Sequence, residues 1–91
     1  SGRPGRDTLR AMTRFLLHHR HEPRECPVVF ASFTGFTSPL RHRATLSSCS
    51  WGGHEIWWEV TAVSAQAALD LLPHYVAQRT EATRVADVDI P

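Results

Sequence analysis

From Thr13 onward the chain alternates between apolar and polar positions and then changes period, and the order of those changes predicts its elements. TRFLLHHRH, residues 13–21, reads as a strand with Phe15, Leu17, His19 and His21 on one side and Arg14, Leu16, His18 and Arg20 on the other. EPREC then places a proline where a first helical turn accepts one, with a glutamate on either side of it. VVFASFTGF continues as a helix that closes near Gly35, a residue suited to a left-handed cap. TSPLRHR is a loop by its Ser-Pro step and its charges. ATLSSCSW and HEIWWEVTAV read as two strands joined at Gly52-Gly53, a hairpin signal. Ser64 is a natural N-cap for AQAALDLL, Pro73 interrupts that helix, and HYVAQRT forms a further short helical piece. EATRVADVDI alternates again as a last strand.

Strand, helix, strand, strand, helix, strand is the order of an α+β, ferredoxin-like βαββαβ domain: an antiparallel four-stranded sheet with both helices on one face. Residues 12–91 are expected to form this single domain. Residues 1–11, SGRPGRDTLRA, are polar and arginine-rich and are read as a disordered, tag-derived or upstream segment. Two helices cover only one face of the sheet. In HEIWWEV, His54, Ile56, Trp58 and Val60 share one side, while Glu55, Trp57 and Glu59 share the other. A tryptophan on the uncovered side, together with bulky groups on both sides of the first strand, predicts a homodimer packed sheet to sheet.

These features resemble the dimeric α/β-barrel superfamily, small ferredoxin-like proteins whose sheets face one another across a dimer. The resemblance covers roughly residues 13–90. It rests on the element order, the Gly-Gly hairpin with WWEV after it, and SAQAALDLL before a final strand. It is nearest to small actinobacterial members with a His-x-His strand end followed by E-P-x-E-C. The superfamily holds monooxygenases, isomerases, haem-degrading enzymes and plain ligand binders, so the resemblance implies a dimer and a cleft without choosing a reaction.

Composition narrows the chemistry. The 91 residues suit one small core, and the hydrophobic fraction of 42% and charged fraction of 21% are those of a folded chain. A formal net charge of +1 gives no electrostatic reason to expect nucleic acid, and RHR at 41–43 has no interleaved aromatics to stack bases. All ten basic residues are arginine, which removes Schiff-base chemistry and the phosphate-loop lysine. That bias also fits a GC-rich genome. There is no membrane-spanning run and no secretory h-region, and two cysteines, Cys26 and Cys49, fit a reduced cytoplasmic setting better than a disulfide scaffold.

The residues that can carry chemistry cluster in HHRHEPREC, residues 18–26. His19 and His21 lie two apart on one strand and point the same way, and Cys26 can fold back toward them after a short turn. Imidazole and thiolate suit a transition metal such as zinc, copper or iron, with His54, His42 or Glu22 as a fourth ligand. The bland alternative is a polar cleft lining with Cys26 buried in the helix, which Pro27 and VVF favour over a reactive thiol. A metal-free role is also open, with His19 or His21 as general acid or base. In either case a small-molecule ligand would lie against His54, Trp57, Glu59 and Tyr75. Three functions follow from this: a homodimeric binder of a small molecule in a histidine-lined cleft, a metal-assisted or histidine acid/base enzyme in that cleft, or a structural or regulatory interaction module.

Overall fold

A computed structural model describes residues 12–91; the expectation for residues 1–11 lies outside the described residues. β1 spans Thr13–Arg20, α1 Cys26–Ala31, β2 Leu46–Ser47, β3 Glu55–Ala62, α2 Ala65–Leu69, α3 His74–Ala77 and β4 Thr80–Arg84. The strands form one sheet in the order β2-β3-β1-β4, every neighbour antiparallel. This is an α+β fold compatible with the ferredoxin-like arrangement.

The period-2 pattern sorts as expected. Phe15, Leu17, Ile56, Trp58, Val60 and Ala62 face a core shared with Val29 of α1, Ala68 of α2, Val76 of α3, and Leu40 and Leu72 of the connections. Burying each Val, Leu, Ile or Phe of this set contributes about 1.5–3 kcal/mol, which is why a one-residue slip of register is excluded here. The other face carries Leu16, His18, Trp57 and Leu46 among charged groups. Trp57 stacks on the His18 ring, with centroids 5.3 Å apart and planes 4° from parallel. His18 in turn lies 2.5 Å from Glu55, so the tryptophan is half-buried rather than bare.

The helical pieces are short, and their ends follow from caps. The Ser64 side chain accepts from the Ala67 N–H at 3.0 Å, as an N-cap should. Pro73 divides α2 from α3. After α1 the chain continues in turns to Gly35, whose φ of +78° is the left-handed conformation that glycine adopts without strain.

Two strands are shorter than the pattern predicts. ATLSSCSW yields only Leu46–Ser47, followed by a 3-10 turn over Cys49–Trp51. Ser48 diverts it: its carbonyl accepts from Trp51 and Gly53, and its hydroxyl accepts from the Glu55 N–H. Serine bonding to nearby backbone competes with a strand ladder in this way. The last strand ends at Arg84; residues 86–91 form no regular element, and the Val85 N–H bonds the Arg14 carbonyl as the ladder stops.

The long loop between α1 and β2 is pinned in place. The Ser38 hydroxyl donates to the Leu71 carbonyl at 2.6 Å and accepts from the Leu40 N–H, while Leu40 is buried.

Candidate metal centre

The antiparallel register of β1 and β3 builds the site. Arg20 pairs with Glu55, and the ladder extends one step further, the His21 N–H donating to the His54 carbonyl at 3.1 Å. His21 and His54 therefore face one another at the sheet end, their rings edge to face with centroids 5.3 Å apart. Cys26 stands at the start of α1, five residues beyond His21 through the Pro23–Glu25 turn. Cys49 opens the 3-10 turn that follows β2. One ligand atom from each of His21, Cys26, Cys49 and His54 lies within 4.8 Å of all the others, so the group can hold a metal ion.

The separations suit tetrahedral coordination. Zinc bonds of about 2.0–2.3 Å require donors roughly 3.3–3.8 Å apart. His21 Nε2 and Cys49 Sγ already stand at 3.7 Å, and side-chain adjustments of about an ångström close the rest. Both cysteines are free thiols, half-buried. Burial, and after it the neighbouring Cys49, push the Cys26 thiol above its ordinary pKa, which opposes a metal-free thiolate nucleophile.

His19 is behind this group rather than in it. It is 0% exposed, and both of its nitrogens are engaged, Nε2 with His21 Nδ1 at 3.0 Å and Nδ1 with Thr80 Oγ1 at 3.1 Å. The Thr80 hydroxyl spends its only proton on the Val76 carbonyl at 2.7 Å, so it must accept from His19 Nδ1–H. His19 Nε2 is then an acceptor, His21 Nδ1 carries the proton, and His21 Nε2 is left with a lone pair facing Cys49 Sγ. The bonding thus fixes the tautomer a metal needs. Burial, then the adjacent His21, lower the pKa of His19; burial, then His54, lower that of His21. Both rings are kept neutral, the form that coordinates metals.

The remaining expected residues lie elsewhere. The Glu22 N–H donates to Glu25 Oε1 at 2.8 Å, and Glu22 itself is an exposed residue on the rim of a polar cleft beside His21 and His54. Tyr75 donates its hydroxyl to Glu25 Oε2 at 2.8 Å, the same oxygen that receives Arg79 Nε at 3.0 Å, and the Arg79 guanidinium lies 3.8 Å over the Tyr75 ring. The backbone N–H of Glu22, then Tyr75 and Arg79, hold the Glu25 carboxyl down to about 2. Trp57 and Glu59 are on the open sheet face, with Glu59 3.3 Å from Arg14. His42 is exposed in the loop after Leu40. The structure brings together His21, Cys26 and His54 from the expected set and leaves His19, His42, Glu22, Trp57, Glu59 and Tyr75 outside the donor group.

Cys49 is the member that sequence reasoning missed. Its one available signal was the placement of the second of two cysteines next to the Gly52-Gly53 turn that leads into His54.

No family model matches the chain, and no curated protein and no solved structure is significantly similar to it. Among the described residues no helix is long and apolar enough to cross a membrane.

Proposed function

We propose that the chain is a small metal-binding domain in which His21, Cys26, Cys49 and His54 hold one zinc-class ion that ties the sheet end, the start of α1 and the β2–β3 loop together. The observation that carries this reading is the convergence of two imidazole and two thiol donors within 4.8 Å from three separate segments. Four protein donors of this kind complete a tetrahedral shell and leave no open position, which favours a structural ion over a Lewis-acid centre. His54 Nδ1 supports the same reading: it is buried and makes no hydrogen bond among the described residues. Such a nitrogen costs about 1–3 kcal/mol, and coordination would satisfy it. Zinc fits the mixed sulfur and nitrogen donors; copper and iron are the other candidates for the same set.

The test is elemental analysis of tag-free protein beside Cys26→Ser and Cys49→Ser variants. One zinc per chain in the parent, lost in both variants, is expected. Metal-free protein whose melting temperature does not move on adding zinc would overturn the reading.

A second element is association. The fold is read as ferredoxin-like, with two copies packing sheet to sheet in the manner of a dimeric α/β barrel. The supporting observation is that Leu16 and Leu46 are exposed beside Trp57 on the face the helices leave uncovered. Light scattering is expected to give twice the chain mass for the parent and the single-chain mass for Trp57→Arg. A parent that stays monomeric at micromolar concentration refutes it.

A further inference from the structure

A cleft of about 350 Å³ opens on the helix side of the sheet, well separated in lining from the histidine and cysteine group. Its floor is Ile56 and Trp58 of β3, both buried, and one wall is Phe30 and Phe33, the latter in a tilted ring contact with Trp58 at 6.3 Å. The opposite wall is the loop held down by Leu40 and Ser38, which carries Arg41, His42 and Arg43 to the rim. The cleft has an apolar interior, and among the described residues not one carboxylate lines it.

We infer that this cleft binds a small hydrophobic monocarboxylate, its apolar body against Phe30, Phe33 and Trp58 and its carboxylate at Arg41 and Arg43. Phe30 is 53% exposed on the wall, an arrangement that costs free energy unless an apolar body covers it. Neither of the two guanidinium groups beside it has an ion-pair partner among the described residues; Arg24 and Arg84 share that state, but neither lines the cleft. Arg41 donates Nη1 to the Phe36 carbonyl at 3.3 Å, which orders its head group and leaves its other donors free. A guanidinium offers two parallel N–H bonds to a carboxylate, and the dry floor nearby strengthens such a bond. Thr45 and Ser47 add hydroxyls at the same edge. The volume is at the small end of ligand sites, which limits the occupant to a short acyl chain or a single aromatic ring.

Octanoate and octan-1-ol, which share a chain length and differ in charge, are the probes. Each is titrated into the full chain as purified while amide and indole resonances are followed by nuclear magnetic resonance. Saturable octanoate binding that shifts the Trp58 indole and the amides of residues 41–45 is expected, with octan-1-ol at least roughly tenfold weaker. Arg43→Gln, an exposed position, should weaken octanoate roughly tenfold and leave octan-1-ol unchanged. Phe30→Ala should weaken both. Equal affinity for the two probes, an unchanged octanoate affinity in Arg43→Gln, or shifts confined to the open sheet face or the metal centre would each overturn the assignment.

Discussion

His19 stands behind His21 as its hydrogen-bond acceptor, Nε2 to Nδ1 at 3.0 Å, and is itself held by Thr80 at 3.1 Å. A ligand histidine fixed through its second nitrogen is oriented and made more basic, and losing that support weakens metal affinity by about 10–100-fold. His19→Leu therefore should keep the fold and bind zinc about 10–100-fold more weakly in competition with a chelator of known affinity. Thr80→Val, which takes away the anchor of His19, should move affinity in the same direction by less. Unchanged affinity in His19→Leu would show that the bond orients nothing.

Acid should destabilise the domain through the same pair. The folded pKa of His19 and of His21 is below the ordinary 6.5, so the unfolded chain takes up protons first as the pH falls. Their contribution to stability is fully present above 6.5 and is lost as the pH drops through the lower folded values. Denaturant midpoints measured on metal-free protein between pH 8 and pH 5 should fall with acid, and the fall should shrink in His19→Leu. A flat profile in the parent would contradict the neutral, buried pair.

Glu25 acts at a lower pH with the same sign. Its folded pKa of about 2 is below the ordinary 4.5, so its contribution is complete above 4.5 and disappears toward 2. Tyr75→Phe removes one of the donors that hold it down, so the Glu25 resonance should titrate at higher pH in that variant.

The β2–β3 loop tolerates little at one glycine. A Cβ on Gly53 would lie 2.4 Å from Ser48 Oγ and 2.8 Å from Ser48 Cβ, and Ser48 cannot swing away without releasing the Glu55 N–H. Gly53→Ala should cost about 1–3 kcal/mol and weaken zinc binding, because that loop carries both Cys49 and His54. Gly52→Ala meets no atom within 4 Å, yet its φ of +85° should cost it about 1–2 kcal/mol. Zinc affinity should suffer less there than in Gly53→Ala, as judged by chelator competition.

Several features were legible because they depend on local pattern. Phe15, Leu17, Ile56, Trp58 and Val60 showed their common face by alternation alone, since side chains of a strand point to opposite sides in turn. Ser64 and Pro73 marked helix ends through hydrogen-bonding capacity and ring geometry, which travel with the residue. HHRHEPREC stood out because imidazole and thiol are scarce and chemically distinct. What that stretch could not disclose was which histidine belongs to the candidate donor group. His19 and His21 point the same way from one strand, and only the packing of Thr80 and Val76 against His19 buries it as the support and leaves His21 at the edge.

The sequence by itself thus determined the order of the elements, the buried face and the clustering of imidazole and thiol groups near the end of β1 that makes it a candidate for metal binding. The tertiary structure alone decided the membership of the site. Cys49 lies 28 residues from His21 and reaches it because β1 and β3 pair in one register and Ser48 turns the chain out of β2 into a 3-10 turn. That placement depends on non-local hydrogen bonds and on a core that excludes every other register, neither of which is written in the spacing of any one segment.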